Sequence, residues 1–359
     1  MDEIPASGVP RVSVIIPSAA ASELLAACLR SLARHAPKGI PFETIVVLNN
    51  ATSASEARIQ GAFSGVQVLS SSVNLGLAGA GNLGRARSKG ELLAILHDDA
   101  EIEPGWMEAL VETADLHPEA GAIGSKVYFP DGRLQSAGNI LWRDGTTSPP
   151  WVGPAPDPAA FDELRAVDYC GTSSILVRTA TWDAVGGLDE RFFPAYYVDV
   201  DFCMGVRHVG QVVLYEPRSR IRHHRGASMR NRFRFFVSAR NRNLFLEKWG
   251  RAMDQHEPPA PGSPEAITRA LECARAFVPR VVRPNDALAP RTYTMPEVAA
   301  LERRNLERDL AVNREYVADL SAALEASEER LRAIVRLRWW RLYHRLLPLL
   351  RRVAALSRR

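Results

Sequence analysis

The sequence lacks the features that mark several large protein classes. Its four cysteines are scattered and form no Cys-x-x-Cys pair, which argues against a zinc site or a disulfide framework and favours a reducing compartment. It contains no apolar run of about 18 residues and no basic-then-apolar N-terminal segment, so we expect neither a membrane span nor a secretory signal. A net charge of only +4 argues against nucleic-acid binding by the whole chain.

The chain does contain regularly spaced apolar segments. Strand-like runs cover 12–16, 43–48, 66–70 and 91–96, and stretches with helical spacing separate them. This alternation predicts an α/β fold in which helices flank a largely parallel sheet. We expect a domain over residues 1–255, with a Rossmann-like nucleotide-binding half at about 10–115 and a loop-rich acceptor half at about 116–250.

The C-terminal third has a different composition. HEPPAPGSP at 256–264 is typical of a linker, so we assign 256–295 to a linker with short helices and 296–359 to a coiled-coil helix with a basic tail. A seven-residue spacing predicts the coiled coil and a homo-oligomer; it relates Leu310, Val317, Leu324 and Leu331. The Arg-rich, Trp-containing segment 336–359 has the composition of a helix in a membrane interface, although a helix packed on the main domain has the same composition.

Two acidic pairs are candidates for chemistry. Asp98 and Asp99 follow the apolar run ending at Leu96, so they should project into the crevice at the carboxyl ends of the strands and bind a divalent metal with its nucleotide. Alternatively, Asp99 caps the following helix. Asp199 and Asp201 lie in YYVDVDF, where they share one face of a strand or form the first turn of a helix.

Two further motifs have less specific meanings. His223 and His224 in IRHHRGAS are metal ligands only if other ligands converge on them in the fold. The glycines of NLGLAGAGNLGRARSKGE allow close approach of the backbone to a ligand, but the segment matches neither GxGxxG after a first strand nor GxxxxGK[ST]. A helix of small residues packed tightly on the sheet explains these glycines equally well.

Taken in order, these segments resemble the family 2 glycosyltransferases with the GT-A fold, particularly the bacterial rhamnosyltransferase-like branch that builds polysaccharides. Each matching stretch alone is weakly specific, and together they cover roughly residues 10–250 in the family's order. The stretches are VSVIIPS, ETIVVLNN, NLGLAGAGNLG, LHDDAEIEPGWM, DGRLQSAG, CGTSSILVRTATWDAVGGLDERFF, YYVDVDFCMGVRHVG, IRHHRGAS and FVSARNRNLFLEKW.

The resemblance implies a role for each matching residue. Asp99 looks like the metal-coordinating aspartate of the DxD-type motif, His223 like the additional metal-side histidine, and Asp199 like the general base. The residues implied to bind the nucleotide sugar are Pro17, Ser18, Asn49, Asn74, Gly79, Asn82, His97 and Asp98. Those implied on the acceptor side are Gly171, Thr172 and Asp201. The chain departs from the family at Leu48, His97 and Val198, where relatives usually have Asp, Asn or Asp, and Glu, so the nucleobase stays open.

The implied activity is inverting glycosyl transfer from a nucleoside diphosphate sugar, with Mg²⁺ or Mn²⁺, to a glycan or lipid-linked acceptor of a bacterial surface polysaccharide. The implied location is the cytoplasm, at the inner face of the cytoplasmic membrane if the tail binds lipid. A nucleotidyltransferase is disfavoured because IIPSAAASELL lacks a Gly-rich basic loop after the first strand. The alternative is a catalytically silent assembly protein that binds nucleotide or glycan and is recruited to a membrane by its C-terminal helices.

Overall fold

The computed structural model describes residues 2–4, 8–19, 21–224, 231–276 and 295–336. The chain divides into two compact units, 1–309 and 310–359. The first unit therefore extends beyond residue 255, where the sequence analysis ends the catalytic domain. The physical reason is packing: Ala266 and Ile267, in the segment expected to be linker and short helices, share a small core with Ile140 and Trp142. The amphipathic tail expected beyond residue 336 lies outside the described residues.

The described part of the chain contains both strands and helices. The strands are β1 (Asp2–Glu3), β2 (Val12–Ser18), β3 (Phe42–Leu48), β4 (Phe63–Ser64), β5 (Val66–Ser70), β6 (Leu92–Leu96), β7 (Ala100–Ile102), β8 (Ala120–Tyr128), β9 (Leu134–Ser136), β10 (Ile140–Leu141), β11 (Thr147–Ser148), β12 (Arg165–Ala166), β13 (Ser174–Arg178) and β14 (Val212–His223). The α-helices are α1 (Glu23–Arg34), α2 (Ser53–Ala62), α3 (Gly76–Arg87), α4 (Trp106–Leu116), α5 (Thr179–Val185), α6 (Val198–His208), α7 (Asn231–Trp249), α8 (Pro264–Ala276) and α9 (Met295–Arg336).

A mixed sheet forms the centre of the first unit. Its main path runs β12-β14-β8-β13-β6-β2-β3-β5, with β7 paired to β14 and β9 to β8. Strands β2, β3, β5 and β6 are parallel neighbours, whereas β13 runs antiparallel between β6 and β8. The predicted α/β class and the predicted N-terminal strands are confirmed.

Apolar side chains cover both faces of this sheet. In β2, Val14 and Ile16 pack with α1 and α4 on one face, while Ile15 packs with α3 on the other. This alternation follows from the two-residue period of a strand. Because both faces are buried, the polar ends of the strands are the part of the sheet where ligands have access.

The beginning of α9 packs on the first unit through polar contacts. The Glu302 carboxylate accepts hydrogen bonds from Ser71 Oγ at 2.9 Å and from the Ser72 amide at 3.1 Å. Arg308 Nη1 lies 2.7 Å from the buried carboxylate of Glu190. Residues 295–309 are thereby tied to the loop after β5 and to the turn before α6.

The second unit is described up to residue 336 and consists of the rest of α9. The four residues of the predicted heptad stripe are all exposed, with relative exposures from 58% to 61%; they are Leu310, Val317, Leu324 and Leu331. The stripe therefore lies on one exposed face of α9. The coiled coil that it would form with a second copy stays a prediction. None of the described helices has the length and apolarity needed to cross a membrane.

Candidate active site

The carboxyl ends of β2, β3 and β6 supply a row of polar residues. Ser18 ends β2 and its hydroxyl donates to Asp98 Oδ2 at 2.6 Å. Asn49 follows β3 and its side-chain oxygen accepts from the Leu75 amide at 3.1 Å. Burial raises the pKa of Asp98, and the hydrogen bond from Ser18 opposes that rise. The expectation that Asp98 lies at this edge is met.

Strand pairing brings distant residues to the same edge. Strands β7 and β14 are antiparallel, and their register places His223 opposite Ala100, one residue after Asp99. The His224 amide also donates to the Asp99 carbonyl at 3.0 Å. The pairing of β7 with β14 thus explains why Asp99 and His223, which the family resemblance assigns to one metal site, lie next to each other. The Gly and Ser of the H-x-x-G-x-S pattern lie outside the described residues.

Three side chains form a group able to hold a metal ion. One potential ligand atom from each of His97, Asp99 and His223 lies within 4.8 Å of the other two. His223 Nε2 lies 3.0 Å and His97 Nδ1 lies 3.9 Å from Asp99 Oδ1. The sequence analysis assigns His97 to the nucleotide sugar, whereas the structure places it in this group because the turn after β6 folds it back beside Asp99.

Neighbouring residues orient the two imidazoles. The Gln135 Nε2 donates to the His223 carbonyl at 3.0 Å, so its Oε1 is the atom 2.6 Å from His223 Nδ1. His223 Nδ1 must then carry a proton, and in a neutral ring the Nε2 lone pair faces Asp99. His97 Nε2 is 3.2 Å from Thr172 Oγ1. A lone pair facing a carboxylate is unfavourable unless a cation lies between the two atoms, either a proton on Nε2 or a divalent metal, so this group can hold a metal.

Burial and charge set the protonation states of His97 and Asp99 to those that bind a cation. Burial, and next the His223 charge, lower the pKa of His97 to about 4, so this imidazole is neutral at pH 7. Burial raises the pKa of Asp99, but the hydrogen bond and charge of His223 outweigh it and the net pKa is lowered. A neutral imidazole and an ionised carboxylate are the forms that bind metals.

The candidate base lies in the first turn of a helix. Asp199 follows Tyr196 and Tyr197, whose backbone φ angles are +67° and +63°, at the start of α6. Burial raises the pKa of Asp199 to about 6, with the Val200 amide opposing the rise. A Cβ added at Gly171 would lie 3.6 Å from Asp199 Oδ2, so Gly171 leaves a space beside this carboxylate. A carboxylate with a pKa near 6 is suited to accepting a proton at neutral pH.

The structure corrects the expected role of Asp201. Its carboxylate accepts from Trp249 Nε1 at 2.6 Å and from Lys248 Nζ at 2.8 Å, and it is 4% exposed. Lys248 also lies 3.0 Å from Asp189. The residue therefore joins α6 to α7 inside the protein, and a buried, fully paired carboxylate is not available to an acceptor.

Two residues that were expected to bind the nucleotide sugar make packing and hydrogen-bond contacts inside the protein. Asn82 is buried, donates to the Leu188 carbonyl and the Glu190 carboxylate, and accepts from the Leu188 amide. Gly79 lies under α9, where an added Cβ would be 3.1 Å from Leu75 Cβ and 3.5 Å from Asn305 Nδ2. Both lie on the tightly packed face of α3. This agrees with the second interpretation of the segment, in which its small residues serve helix packing.

The remaining predicted residues lie at the crevice or beside it. Pro17 is buried within β2. Asn74 shapes its own turn, since its side-chain oxygen accepts from the Gly76 amide at 2.9 Å. Thr172 touches the metal group through His97, and Gly171 borders Asp199. Their parts in binding donor or acceptor stay predictions.

Sequence reasoning missed two residues that organise the site. Gln135 lies in DGRLQSAG, a stretch noted only for its resemblance, and its contact with His223 depends on strand pairing. Asn241 is fully buried, and its amide nitrogen donates to the carbonyls of Phe192, Ala195 and Tyr196 at 2.9–3.1 Å. The signal that the sequence offered for the second was its spacing, because Asn241 lies four residues from both Val237 and Phe245, and a polar side chain in an apolar row of a helix needs partners.

Comparison with known proteins shows which proteins this chain is similar to. Residues 13–183 match Glycosyl transferase family 2. The uncharacterized protein y4gI of Sinorhizobium fredii is 31% identical over 233 residues, which cover 62% of this chain and 25% of that protein. The O-antigen biosynthesis protein RfbC of Myxococcus xanthus is 29% identical over 234 residues, which cover 63% of this chain and 18% of that protein. The chain thus spans a quarter or less of these two relatives.

A third relative and one solved structure extend the comparison. The N-acetylglucosaminyl-diphospho-decaprenol L-rhamnosyltransferase of Mycobacterium tuberculosis is 27% identical over 210 residues, covering 52% of this chain and 68% of that protein. The crystal structure of GalNAc-T7 with UDP, GalNAc and Mn²⁺ superposes with a TM-score of 0.53 at 14% identity, covering 69% of this chain and 49% of that one. The structural likeness shows a shared fold.

Proposed function

Because residues 13–183 match the model of glycosyl transferase family 2, we propose that this chain transfers a sugar from a nucleoside diphosphate sugar to a hydroxyl group, with inversion at the anomeric carbon. The acceptor is a glycan or lipid-linked glycan of a bacterial surface polysaccharide. RfbC, named for O-antigen biosynthesis, and the rhamnosyltransferase named for a decaprenol-linked acceptor support this class of acceptor.

One observation carries the proposal. Two consecutive residues connect the base to the metal group: Gly171 borders Asp199 Oδ2, and Thr172 contacts His97 Nε2 at 3.2 Å. An acceptor hydroxyl in the space over Gly171 is therefore next to a proton acceptor, and the metal group contacts the adjacent residue, Thr172. Inverting transfer needs a base on the acceptor and stabilisation of the diphosphate leaving group in one crevice.

Each side chain has a defined task in this reaction. Asp199 accepts the proton of the acceptor hydroxyl as that oxygen attacks the anomeric carbon from the face opposite the diphosphate, so no covalent enzyme intermediate forms. His97, Asp99 and His223 would hold the divalent metal, Mg²⁺ or Mn²⁺, and Gln135 keeps His223 Nε2 turned inward. The metal, when bound, supplies positive charge that stabilises the leaving diphosphate.

The donor side differs from the family's usual pattern. Leu48, at the position where relatives usually have an aspartate, is buried at 1% exposure in β3 and presents no polar group to a nucleobase. Asn49 and Asn74 instead shape the neighbouring loop. The donor is therefore to be identified by testing UDP-, dTDP- and GDP-sugars, and the relative named as an L-rhamnosyltransferase makes an L-rhamnose donor the first to test.

The C-terminal segments suit a membrane-linked acceptor. We place the protein in the cytoplasm, with the basic segment 336–359 binding the inner face of the membrane and the heptad stripe of α9 pairing with a second copy. An interfacial helix rich in Arg, Trp and Leu would hold the active site close to a lipid-linked glycan. The composition of the tail and the exposed stripe support these two proposals.

The experiment is a donor panel with the purified full-length chain. Release of nucleoside diphosphate from UDP-, dTDP- and GDP-sugars is measured with Mg²⁺ or Mn²⁺ and a lipid extract as acceptor source, beside Asp99→Ala and Asp199→Ala. Release from one donor that both substitutions abolish supports the proposal. Nucleotide binding without turnover of any donor contradicts it and favours a catalytically silent assembly protein.

A further inference from the structure

Three residues at the start of α9 contact the first unit, to which residues 295–309 belong. Glu302, Asn305 and Arg308 are spaced three positions apart, so they lie on one face of the helix. Asn305 is fully buried against α3, where a Cβ added to Gly79 would lie 3.5 Å from its Nδ2. Arg308 Nη1 lies 2.7 Å from the carboxylate of Glu190. This face of α9 therefore contacts the segments that carry predicted nucleotide-sugar residues.

Glu302 binds the loop between β5 and α3. Its Oε1 accepts hydrogen bonds from the Ser71 hydroxyl at 2.9 Å, the Ser72 amide at 3.1 Å and the Ser72 hydroxyl at 3.4 Å. Ser71 Oγ in turn accepts from the Val73 amide at 3.2 Å. Hydrogen bonds to an ionised carboxylate are stronger than those to a neutral acceptor, so Glu302 fixes the backbone of residues 71–73.

The loop that this carboxylate holds is joined to the neighbouring loop of the crevice. The Val73 carbonyl accepts from the Asn50 amide at 3.2 Å, and the Leu75 amide donates to the Asn49 side-chain oxygen at 3.1 Å. Asn74 lies between these two contacts. The backbone fixed by α9 is therefore the backbone that places Asn49 and Asn74, two of the residues predicted to bind the nucleotide sugar.

We infer that Glu302 is a positioning residue for the donor, which holds loop 71–75 in the conformation that binds the nucleotide. Donor affinity would then depend on a helix that lies far beyond the residues matching the family, 13–183. The inference rests on the proposed function for the use of this loop in donor binding. When only a fraction of the molecules has the competent loop, the apparent affinity falls by that fraction. A bound donor selects the competent loop, so turnover at saturation should not depend on Glu302.

The test separates donor affinity from turnover in the full-length chain. Dissociation constants for UDP, dTDP and GDP are measured by calorimetry with Mg²⁺ or Mn²⁺ present, and donor KM and kcat are measured by nucleoside diphosphate release. Glu302→Ala removes the acceptor and preserves the helix, whereas Glu302→Gln keeps an oxygen that can accept from the loop. Glu307→Ala is the matched control, because Glu307 is an exposed glutamate of the same helix that pairs with Arg303.

We expect Glu302→Ala to raise both the donor KM and the nucleotide dissociation constant by about 3–10-fold, with kcat within about twofold of the wild type. Glu302→Gln should lie between the two proteins, and Glu307→Ala should match the wild type. Unchanged donor affinity in Glu302→Ala, a loss confined to kcat, or an equal loss in Glu307→Ala overturns the inference and leaves the proposed function intact.

The binding measurement also separates this inference from the proposed function. Nucleotide binding that weakens as expected in Glu302→Ala, without turnover of any donor by the wild type, supports the inference and contradicts the proposed function. A wild type that binds none of the three nucleotides contradicts both.

Discussion

At the scale of single residues, Asp199 is the group on which turnover should depend most strongly. Replacing it by Asn keeps the shape and removes the proton acceptor, so kcat should fall by about 10²–10⁴-fold. Because burial raises the pKa of Asp199 to about 6, wild-type kcat/KM should rise with pH through that value as the carboxylate loses its proton. A pH–rate profile checks this, and a profile without an ionisation near pH 6 would contradict the assignment.

The same carboxylate should reduce the stability of the protein. An acid whose folded-state pKa is raised from 3.8 to about 6 favours the folded state only while protonated, so stability is lost as pH rises from about 4 to 6. At pH 8, Asp199→Asn should therefore have a free energy of unfolding that is higher than that of the wild type by roughly 1–3 kcal/mol, and it should melt at a higher temperature. Below pH 4 the two proteins should have the same stability. Thermal unfolding at both pH values measures this, and destabilisation at pH 8 would refute it.

Gln135 is a positioning residue whose effect should appear in metal affinity. Gln135→Leu removes the acceptor for His223 Nδ1 and should lower Mn²⁺ affinity by about 10–100-fold. Gln135→Glu keeps that acceptor and loses only the donor to the His223 carbonyl, so it should bind Mn²⁺ more tightly than the Leu variant. Calorimetric titration of both proteins compares them, and equal affinities would mean that Gln135 merely fills space.

At the scale of secondary-structure elements, Asn241 connects α7 to the loop that precedes the candidate base. Its amide donates to three carbonyls between Phe192 and Tyr196. Asn241→Leu should remove one hydrogen-bond donor from each of those carbonyls, cost about 1–3 kcal/mol of stability and reduce kcat by displacing Asp199. Asn243→Leu on the exposed side of the same helix is the control. Denaturant unfolding and turnover assays test this, and equal behaviour of the two variants would oppose it.

The exposed heptad stripe of α9 should pair with a second copy. A seven-residue apolar repeat buries itself in a left-handed coiled coil, and Val317 and Leu324 lie in its middle at 60% and 61% exposure. The double variant Val317→Glu, Leu324→Glu should be monomeric, whereas Ala322→Glu, on the same helix but off the stripe, should keep the wild-type mass. Light scattering measures the masses, and a monomeric wild type would rule out the pairing.

At the scale of the whole molecule, the units should separate catalysis from attachment. A chain ending at residue 309 retains the first compact unit with the Glu302 and Arg308 contacts, so it should fold and turn over donor with a water-soluble acceptor. A chain ending at residue 335, which lacks the tail 336–359, should lose binding to anionic vesicles while keeping the oligomeric state of the wild type. Vesicle sedimentation decides the second point, and unchanged binding of the shortened chain would remove the tail from the proposal.

The sequence predicted the sheet and the edge where the chemistry lies. Buried aliphatic runs specify strands, and parallel strands present their carboxyl ends on one side, so Asp98 and Asp99 were expected in the crevice. The family resemblance supplied Asp199 and His223 as partners of that edge. Both signals are local along the chain, which explains why single-sequence reasoning detected them.

Only the tertiary structure decided which polar side chains face the crevice. Asn82 and Asp201 lie in stretches that match the family as well as Asp99 does, but helix packing turns both into the interior. His97 joins the metal group because the turn after β6 places it beside Asp99, and Gln135 orients His223 because strand pairing brings these two distant residues together. Residue types and their order therefore determined the fold and the kind of chemistry, whereas long-range pairing and packing determined the members of the site.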